Sequence, residues 1–111
     1  MYRYLLFLLL VLVFNFVPAA DFSCSTLINL EKVSSARVSS ILNEKIKIDE
    51  TSESIAYITE KNDAYFVLEF FMKNHYMRVY GQSYLKTIGS HLTAATWSRS
   101  EMIDVVCERT Q

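Results

Sequence analysis

Two cysteines stand near the two ends of the chain that follows an apolar N-terminal segment, Cys24 close to its start and Cys107 close to its end. An even number of cysteines favours a disulfide when a chain is exported. Pairing of these two would close a loop of about 84 residues, for which the chain-entropy model gives about 4–5 kcal/mol of stabilisation. We therefore expect one disulfide that brings the first and last elements together. Two separate buried thiols, or pairing between two chains, are the alternatives.

The N-terminal segment indicates export. Arg3 precedes an unbroken apolar run, and the segment closes on the small residues Ala19 and Ala20. This layout is typical of a secretory signal peptide, and the apolar run is shorter than the ~20 residues of a membrane-spanning helix. We expect a signal peptide over 1–20, cleaved after Ala19 or Ala20, and a single small exported domain over 21–111, secreted or periplasmic. A retained anchor is the alternative.

The mature chain gives no sign of a membrane anchor or of a nucleic-acid partner. Lipidation of Cys24 is disfavoured because Asp21 and Phe22 stand where a lipidation site needs small residues. Without Arg3 the chain has ten basic and twelve acidic residues. A net charge this close to zero does not favour nucleic acid or an anionic membrane surface.

The first part of the mature chain has a helical pattern. After Pro18 there is no proline, and the glycines are Gly81 and Gly89, so most of the chain should be regular structure. In the segment 25–44 the apolar residues at helical spacing are Leu27, Leu30, Val38 and Ile41, with Leu42 beside them. Ser25 can cap the start. The spacing predicts an N-terminal helix over 25–44.

After Lys45 the pattern shifts toward a period of two. The segments rich in aromatic and β-branched residues are 54–60, 64–72, 75–81, 84–88, 91–97 and 102–108. Short strands at this spacing predict an antiparallel meander of about five or six strands. In 64–72 the residues Phe66, Leu68 and Phe70 face one way, and we expect Leu68 in the core. The predicted fold is α+β, with the N-terminal helix packed on the meander and one disulfide.

The last segment, 101–109, has two interpretations. Ser98 and Glu101 match a helix capping box. Ile103, Val105 and Val106 are β-branched, which favours a strand. We prefer the strand.

No catalytic or metal-binding motif is evident. His75 and His91 have no acidic residue near them in sequence, and the HxH, HxxxH and HExxH spacings are absent. No G-x-S-x-G motif occurs. Asp104 and Glu108 could share one face, but we interpret them as a solvated acidic edge. We predict no metal, no cofactor and no enzymatic activity.

Aromatic and basic residues suggest an interaction surface instead. The candidate interface consists of Tyr76, Arg78, Tyr80, Tyr84 and Lys86. The first three alternate and should project from one face of one strand, and the last two should follow on the neighbouring strand after a turn at Gly81. Tyrosine, tryptophan and arginine dominate interface anchors. The alternative is that these tyrosines belong to the core and to an ordinary sheet face.

Charges are unevenly distributed along the chain. From Glu44 to Glu69 there are seven acidic and three basic residues, whereas Phe70 to Ser100 contains four basic residues and no acidic ones. The two blocks could neutralise each other across neighbouring strands. Alternatively, the second block could form a mildly basic aromatic face for an acidic or sugar-bearing partner.

These features together predict a small exported binding protein that acts by protein–protein recognition. An inhibitor, an immunity-type protein or an envelope accessory protein would fit this description. The main alternative is a small-ligand carrier with an aromatic pocket inside the meander. An enzyme is the minor alternative.

Overall fold

The structure is a computed structural model, and it describes residues 20–62, 64–74, 76–97, 99 and 101–111. The predicted signal peptide lies outside the described residues except for Ala20. The strands are β1 (Asp21–Ile28), β2 (Glu31–Ser39), β3 (Lys45–Glu50), β4 (Ser54–Asn62), β5 (Tyr65–Met72), β6 (Met77–Tyr84), β7 (His91–Trp97) and β8 (Met102–Arg109). The described residues contain no helix, and hence none that could span a bilayer.

The eight strands form two four-stranded antiparallel sheets. The first sheet has the order β2-β1-β8-β7, and the second has the order β3-β4-β5-β6. Successive strands are neighbours within each sheet except where the chain crosses between sheets, and β8 returns to pair with β1. The sheets face each other, because the rings of Phe22 in β1 and Phe66 in β5 meet edge to face with centroids 4.8 Å apart.

The core lies between the sheets and follows the period of two. On β5 the side chains of Phe66, Leu68 and Phe70 are fully buried, which confirms the face predicted from the sequence and the choice of Leu68 as a core residue. Ala56 and Ile58 of β4 are buried beside them. Full burial of a large apolar side chain contributes about 1.5–3 kcal/mol, so this interior is the main source of stability.

The disulfide is confirmed. Cys24 lies directly opposite Cys107 on the paired strands β1 and β8, with Cα atoms 4.1 Å apart and the two sulfurs bonded. Both cysteines face the interior and are fully buried. The bond links the first strand of the domain to the last, and it is compatible with an oxidising extracellular compartment.

The predicted helix over 25–44 is wrong, and the fold is all-β rather than α+β. The strands form two sheets instead of the single meander of five or six strands that the sequence predicted. The segment 25–44 forms the end of β1, a two-residue turn and β2. Of the residues that suggested a helical stripe, Leu30, Ile41 and Leu42 are exposed, whereas Leu27 and Val38 are partly buried as residues of β1 and β2. Because β1 is hydrogen-bonded to β2 on one side and to β8 on the other, the interior accepts alternate residues only.

The strand predictions hold unevenly after Lys45. Predicted strands 54–60, 64–72 and 91–97 correspond to β4, β5 and β7, and the last segment is the strand β8, as preferred. The sequence prediction missed β3. The segment 84–88 is not a strand, since only its first residue belongs to β6.

Gly81 is not part of a turn. It lies inside β6, where an added Cβ atom would clash with the backbone oxygen of Thr93 in β7. The glycine therefore permits the close approach of β6 to β7, at a corner where the chain passes from the second sheet to the first.

Candidate recognition surface

The outer face of the second sheet carries most of the predicted interface. Side chains on β6 point alternately to the two faces of the sheet. On one face, Arg78 lies opposite Phe71, Tyr80 opposite Glu69 and Tyr84 opposite Tyr65 of β5. Directly opposed residues of antiparallel strands share a face, and this face is the one away from the buried Phe66, Leu68 and Phe70. Tyr80 is 54% exposed and Tyr84 is 60% exposed. We call this surface the tyrosine–arginine face.

The structure brings together three of the five predicted residues in one strand and places the other two nearby. Arg78, Tyr80 and Tyr84 all belong to β6, so a single strand presents them rather than two. Lys86 follows the strand, with its Nζ 5.3 Å from the ring centroid of Tyr84. Tyr76 lies in the turn before β6 and not in the strand. The neighbouring His75 lies outside the described residues.

A buried carboxylate organises the centre of the face. Glu69, whose side chain is 7% exposed, accepts from Arg78 Nη1 on Oε1 at 2.7 Å and is 2.7 Å from Lys45 Nζ through Oε2. Burial by itself opposes ionisation of Glu69. The hydrogen bonds and charges of Lys45 and Arg78 outweigh it, so the pKa of this carboxyl lies below its ordinary value. The triad links β3, β5 and β6.

Aromatic contacts hold the same side chains from a second direction. The guanidinium carbon of Arg78 stands 5.2 Å from the centroid of the Phe71 ring. Tyr65 packs against Tyr84 with ring centroids 4.9 Å apart, and its hydroxyl donates to Gln82 Oε1 at 2.7 Å. Arg78 and Tyr84 are therefore placed before any partner binds. Positioned groups of this kind lose less conformational entropy on binding.

The chemistry of the face suits an anionic or amphipathic partner surface. Arg78 uses one nitrogen for Glu69, while its side chain remains about half exposed. A guanidinium has five N–H donors in a planar fork, which matches the two oxygens of a carboxylate. The exposed tyrosines beside it combine apolar area with a hydroxyl, as interface anchors commonly do.

Neutralisation of the acidic and basic blocks across neighbouring strands is confirmed at Arg78, which pairs with Glu69. Lys73, in the turn after β5, pairs with Glu50 of β3 at 2.9 Å. The tyrosine–arginine face is therefore only mildly basic.

Three further residues with large apolar or aromatic side chains are exposed, and of these only Tyr76 belongs to the predicted interface. Leu30, Tyr76 and Trp97 are 72%, 88% and 78% exposed. The N–H of Asn29 donates to the Met102 carbonyl, and Met102 lies opposite Trp97, so Leu30 and Trp97 stand at one end of the first sheet. We call Leu30 and Trp97 the turn-end cluster, whereas Tyr76 lies in the turn before β6 of the second sheet.

Leu30 and Tyr76 both have a left-handed backbone conformation. Leu30 has φ of 70° and Tyr76 has φ of 48°. Such left-handed positions favour glycine or asparagine, and other residues pay about 1–2 kcal/mol there. The only sequence signal for the first turn was Asn29, which suits the first position of a two-residue hairpin turn.

A cavity of about 310 Å³ opens at the other end of the first sheet, between β1, β2 and the chain end. It is lined by Asp21, Phe22, Arg37, Val38, Ser39, Thr110 and Gln111. It differs from the aromatic pocket expected of a carrier, because the aromatic residues between the sheets, including Phe22 and Phe66, pack on one another.

Comparison of the chain with protein-family models, with curated proteins and with solved structures gave no match.

Proposed function

We propose that the protein is a small exported binding protein that recognises another protein through the tyrosine–arginine face. The observation that carries the proposal is the positioning of Arg78 between Glu69 and Phe71, with Tyr80 exposed next to it on the same face. A sheet that only covered a core would gain little from a buried carboxylate on its outer side. A charge network that fixes an exposed arginine is useful for recognition.

The partner surface that fits this face carries carboxylates among apolar side chains. Arg78 and Lys45 already share the charge of Glu69, and Lys86 adds a further positive charge at the end of the strand. Aspartate or glutamate of a partner would bind the outward N–H groups of Arg78, while Tyr80 and Tyr84 would cover apolar area. The proposal assigns the protein no catalytic activity.

Export is part of the same proposal. Its support is the N-terminal sequence, with the layout of a signal peptide, together with the buried disulfide between Cys24 and Cys107. The carrier alternative is less well supported, because it would have to use the cavity beside Arg37 instead of a pocket between the sheets.

The proposal is tested by affinity capture from the exported fraction of the source cells, with the wild type and three variants as bait. We expect a partner held by the wild type to be lost with Arg78→Ala and with Tyr80→Ala. Lys61→Ala is the matched control, since Lys61 is exposed at the end of β4 and lies outside the face. Equal capture by all four baits would show that the partner binds elsewhere.

A further inference from the structure

Ala20 belongs to the folded domain, although the sequence alone places it at the end of the signal peptide. Its side chain is 4% exposed. Its carbonyl accepts the backbone N–H of Ser40 at 2.8 Å and the Ser40 hydroxyl at 3.3 Å. Ser40 is itself fully buried. Ala20 therefore supplies the acceptor for two donors of Ser40.

The following residues are held just as closely. The N–H of Asp21 donates to the Gln111 carbonyl at 3.2 Å, and the Asp21 carbonyl accepts the Thr110 N–H at 2.8 Å. Phe22 lies between Val38 of β2 and Arg109 of β8. The chain is thus fixed from Ala20 onward by neighbours on both sides of a central strand.

These contacts distinguish the two cleavage sites that the sequence allows. Cleavage after Ala20 would remove the carbonyl that Ser40 uses, so the two Ser40 donors would lose their acceptor and the domain would lose two hydrogen bonds. Cleavage after Ala19 keeps every one of these contacts. We propose that a signal peptidase cleaves between Ala19 and Ala20, and this inference rests on the proposed export. We also propose that the cleavage takes place before β1 pairs with its neighbouring strands. Water adds across that peptide bond, leaving a carboxylate on Ala19 and the new amine on Ala20.

The position of the cleaved bond indicates that cleavage precedes folding. A peptidase acts on a chain segment that is locally open on both sides of the bond. In the folded domain, Ala20 and Asp21 are hydrogen-bonded, and the Cys24–Cys107 bond holds β1 to β8 only four residues further on. Opening this segment in the oxidised domain would require separating β1 from two neighbours.

The cleavage site is tested by expressing the full chain in an exporting bacterial host and determining the intact mass and N-terminal sequence of the exported protein. We expect a protein that begins at Ala20. A protein that begins at Asp21 would overturn this inference and leave the proposed export intact. A protein that retains Met1 would overturn both.

The structural role of Ala20 is tested in the same host with a precursor from which Ala20 is deleted, so that cleavage after Ala19 leaves Asp21 first. We expect a melting temperature lower by about 5 °C, because the Ser40 donors lose their acceptor. Ala20→Gly, which keeps the carbonyl, is the control and should stay closer to the wild type. An unchanged melting temperature in the deletion variant would contradict the role.

The order is tested by treating the full-length precursor with purified signal peptidase, either folded and oxidised or reduced and held unfolded. We expect cleavage of the oxidised precursor to be slower by about tenfold or more, because the folded domain seldom opens. Equal rates would show that cleavage does not need to precede folding.

Discussion

The two sheets share one interior but differ in what they show outside. The outer face of the first sheet carries small and polar residues, such as Ser23 opposite Glu108 and Ala95 opposite Asp104, together with Val106 and, at one end, the exposed Trp97. The outer face of the second sheet carries tyrosines, Arg78 and the buried Glu69. In both sheets buried and exposed side chains alternate along the strands. This alternation accounts for the fold, but it does not indicate a function. The composition of the outer faces distinguishes the two sheets.

The sheets also differ in how they are held together. The first sheet contains the Cys24–Cys107 disulfide, which joins neighbouring strands covalently. In the second sheet, the Glu69 triad and the tyrosine contacts join strands through side chains on the outer face. We therefore expect substitutions in the first sheet to affect mainly the stability of the protein, and substitutions on the outer face of the second sheet to affect mainly partner binding.

The largest expected effect is in the first sheet. Cys107→Ser removes the bond across a loop of about 84 residues, and we expect it to lower the free energy of unfolding by about 4 kcal/mol. Denaturant unfolding of the oxidised wild type and of the variant measures the difference. The wild type should lose stability when it is reduced, so equal melting temperatures under oxidising and reducing conditions would contradict a stabilising role of the bond.

The interior should be almost as sensitive. Leu68→Ala leaves a cavity between Phe66 and Phe70, and we expect a loss of about 3 kcal/mol, which would lower the melting temperature by more than about 10 °C. Calorimetry of the oxidised variant measures this loss. Leu68→Met, which largely preserves the volume, is the control and should cost less than about 1.5 kcal/mol. Similar losses in both variants would mean that Leu68 does not fill a tightly packed site.

Substitutions on the tyrosine–arginine face should weaken partner binding. Arg78→Ala should weaken partner binding by about 2 kcal/mol, or roughly thirtyfold in Kd, and should also lower the melting temperature, because the buried Glu69 loses one of its two charged partners. Titration calorimetry with the isolated partner measures the first quantity and thermal unfolding the second. Arg78→Lys keeps the charge but not the planar fork, so it should restore only part of the affinity. Full affinity in Arg78→Ala would remove arginine from the proposal.

The smallest expected effect is the pH dependence due to Glu69. Its pKa is lower in the folded protein than its ordinary value of 4.5. A lowered folded pKa gives stability that is present above the unfolded pKa and is lost as the pH falls through the folded pKa. We expect Glu69→Gln to lose about 1 kcal/mol near neutral pH and to show a smaller decline below about pH 4.5. Parallel stability–pH curves for variant and wild type would contradict this role.

The sequence was most informative where one face of a strand is strongly apolar. Phe66, Leu68 and Phe70 alternate with Tyr65 and Val67, and that segment is β5 as predicted. The alternation of Ile46 and Ile48 in the missed strand β3 carries the same signal in a shorter and more charged segment.

The sequence-based predictions were wrong where one residue pattern is compatible with two different structures. Leu27 and Leu30 stand three apart by coincidence, since Leu27 belongs to β1 and Leu30 to the following turn. Gly81 suggested a turn, but its role is the contact with Thr93, which depends on how the sheets meet. The Glu69 triad could not be predicted because Lys45, Glu69 and Arg78 come together only through the register of four strands.

We propose that the protein binds its partner through the outer face of the second sheet. The most direct test of this proposal places a photo-crosslinking benzophenone residue at Tyr80, on that face, or at Ala95, which is exposed on the outer side of the first sheet. A third site at Trp97 reports on the turn-end cluster. After export and illumination in the source cells, the account predicts a partner adduct from position 80 that Arg78→Ala abolishes, and none from position 95 or 97. An adduct from position 95 or 97 with none from position 80 would contradict it.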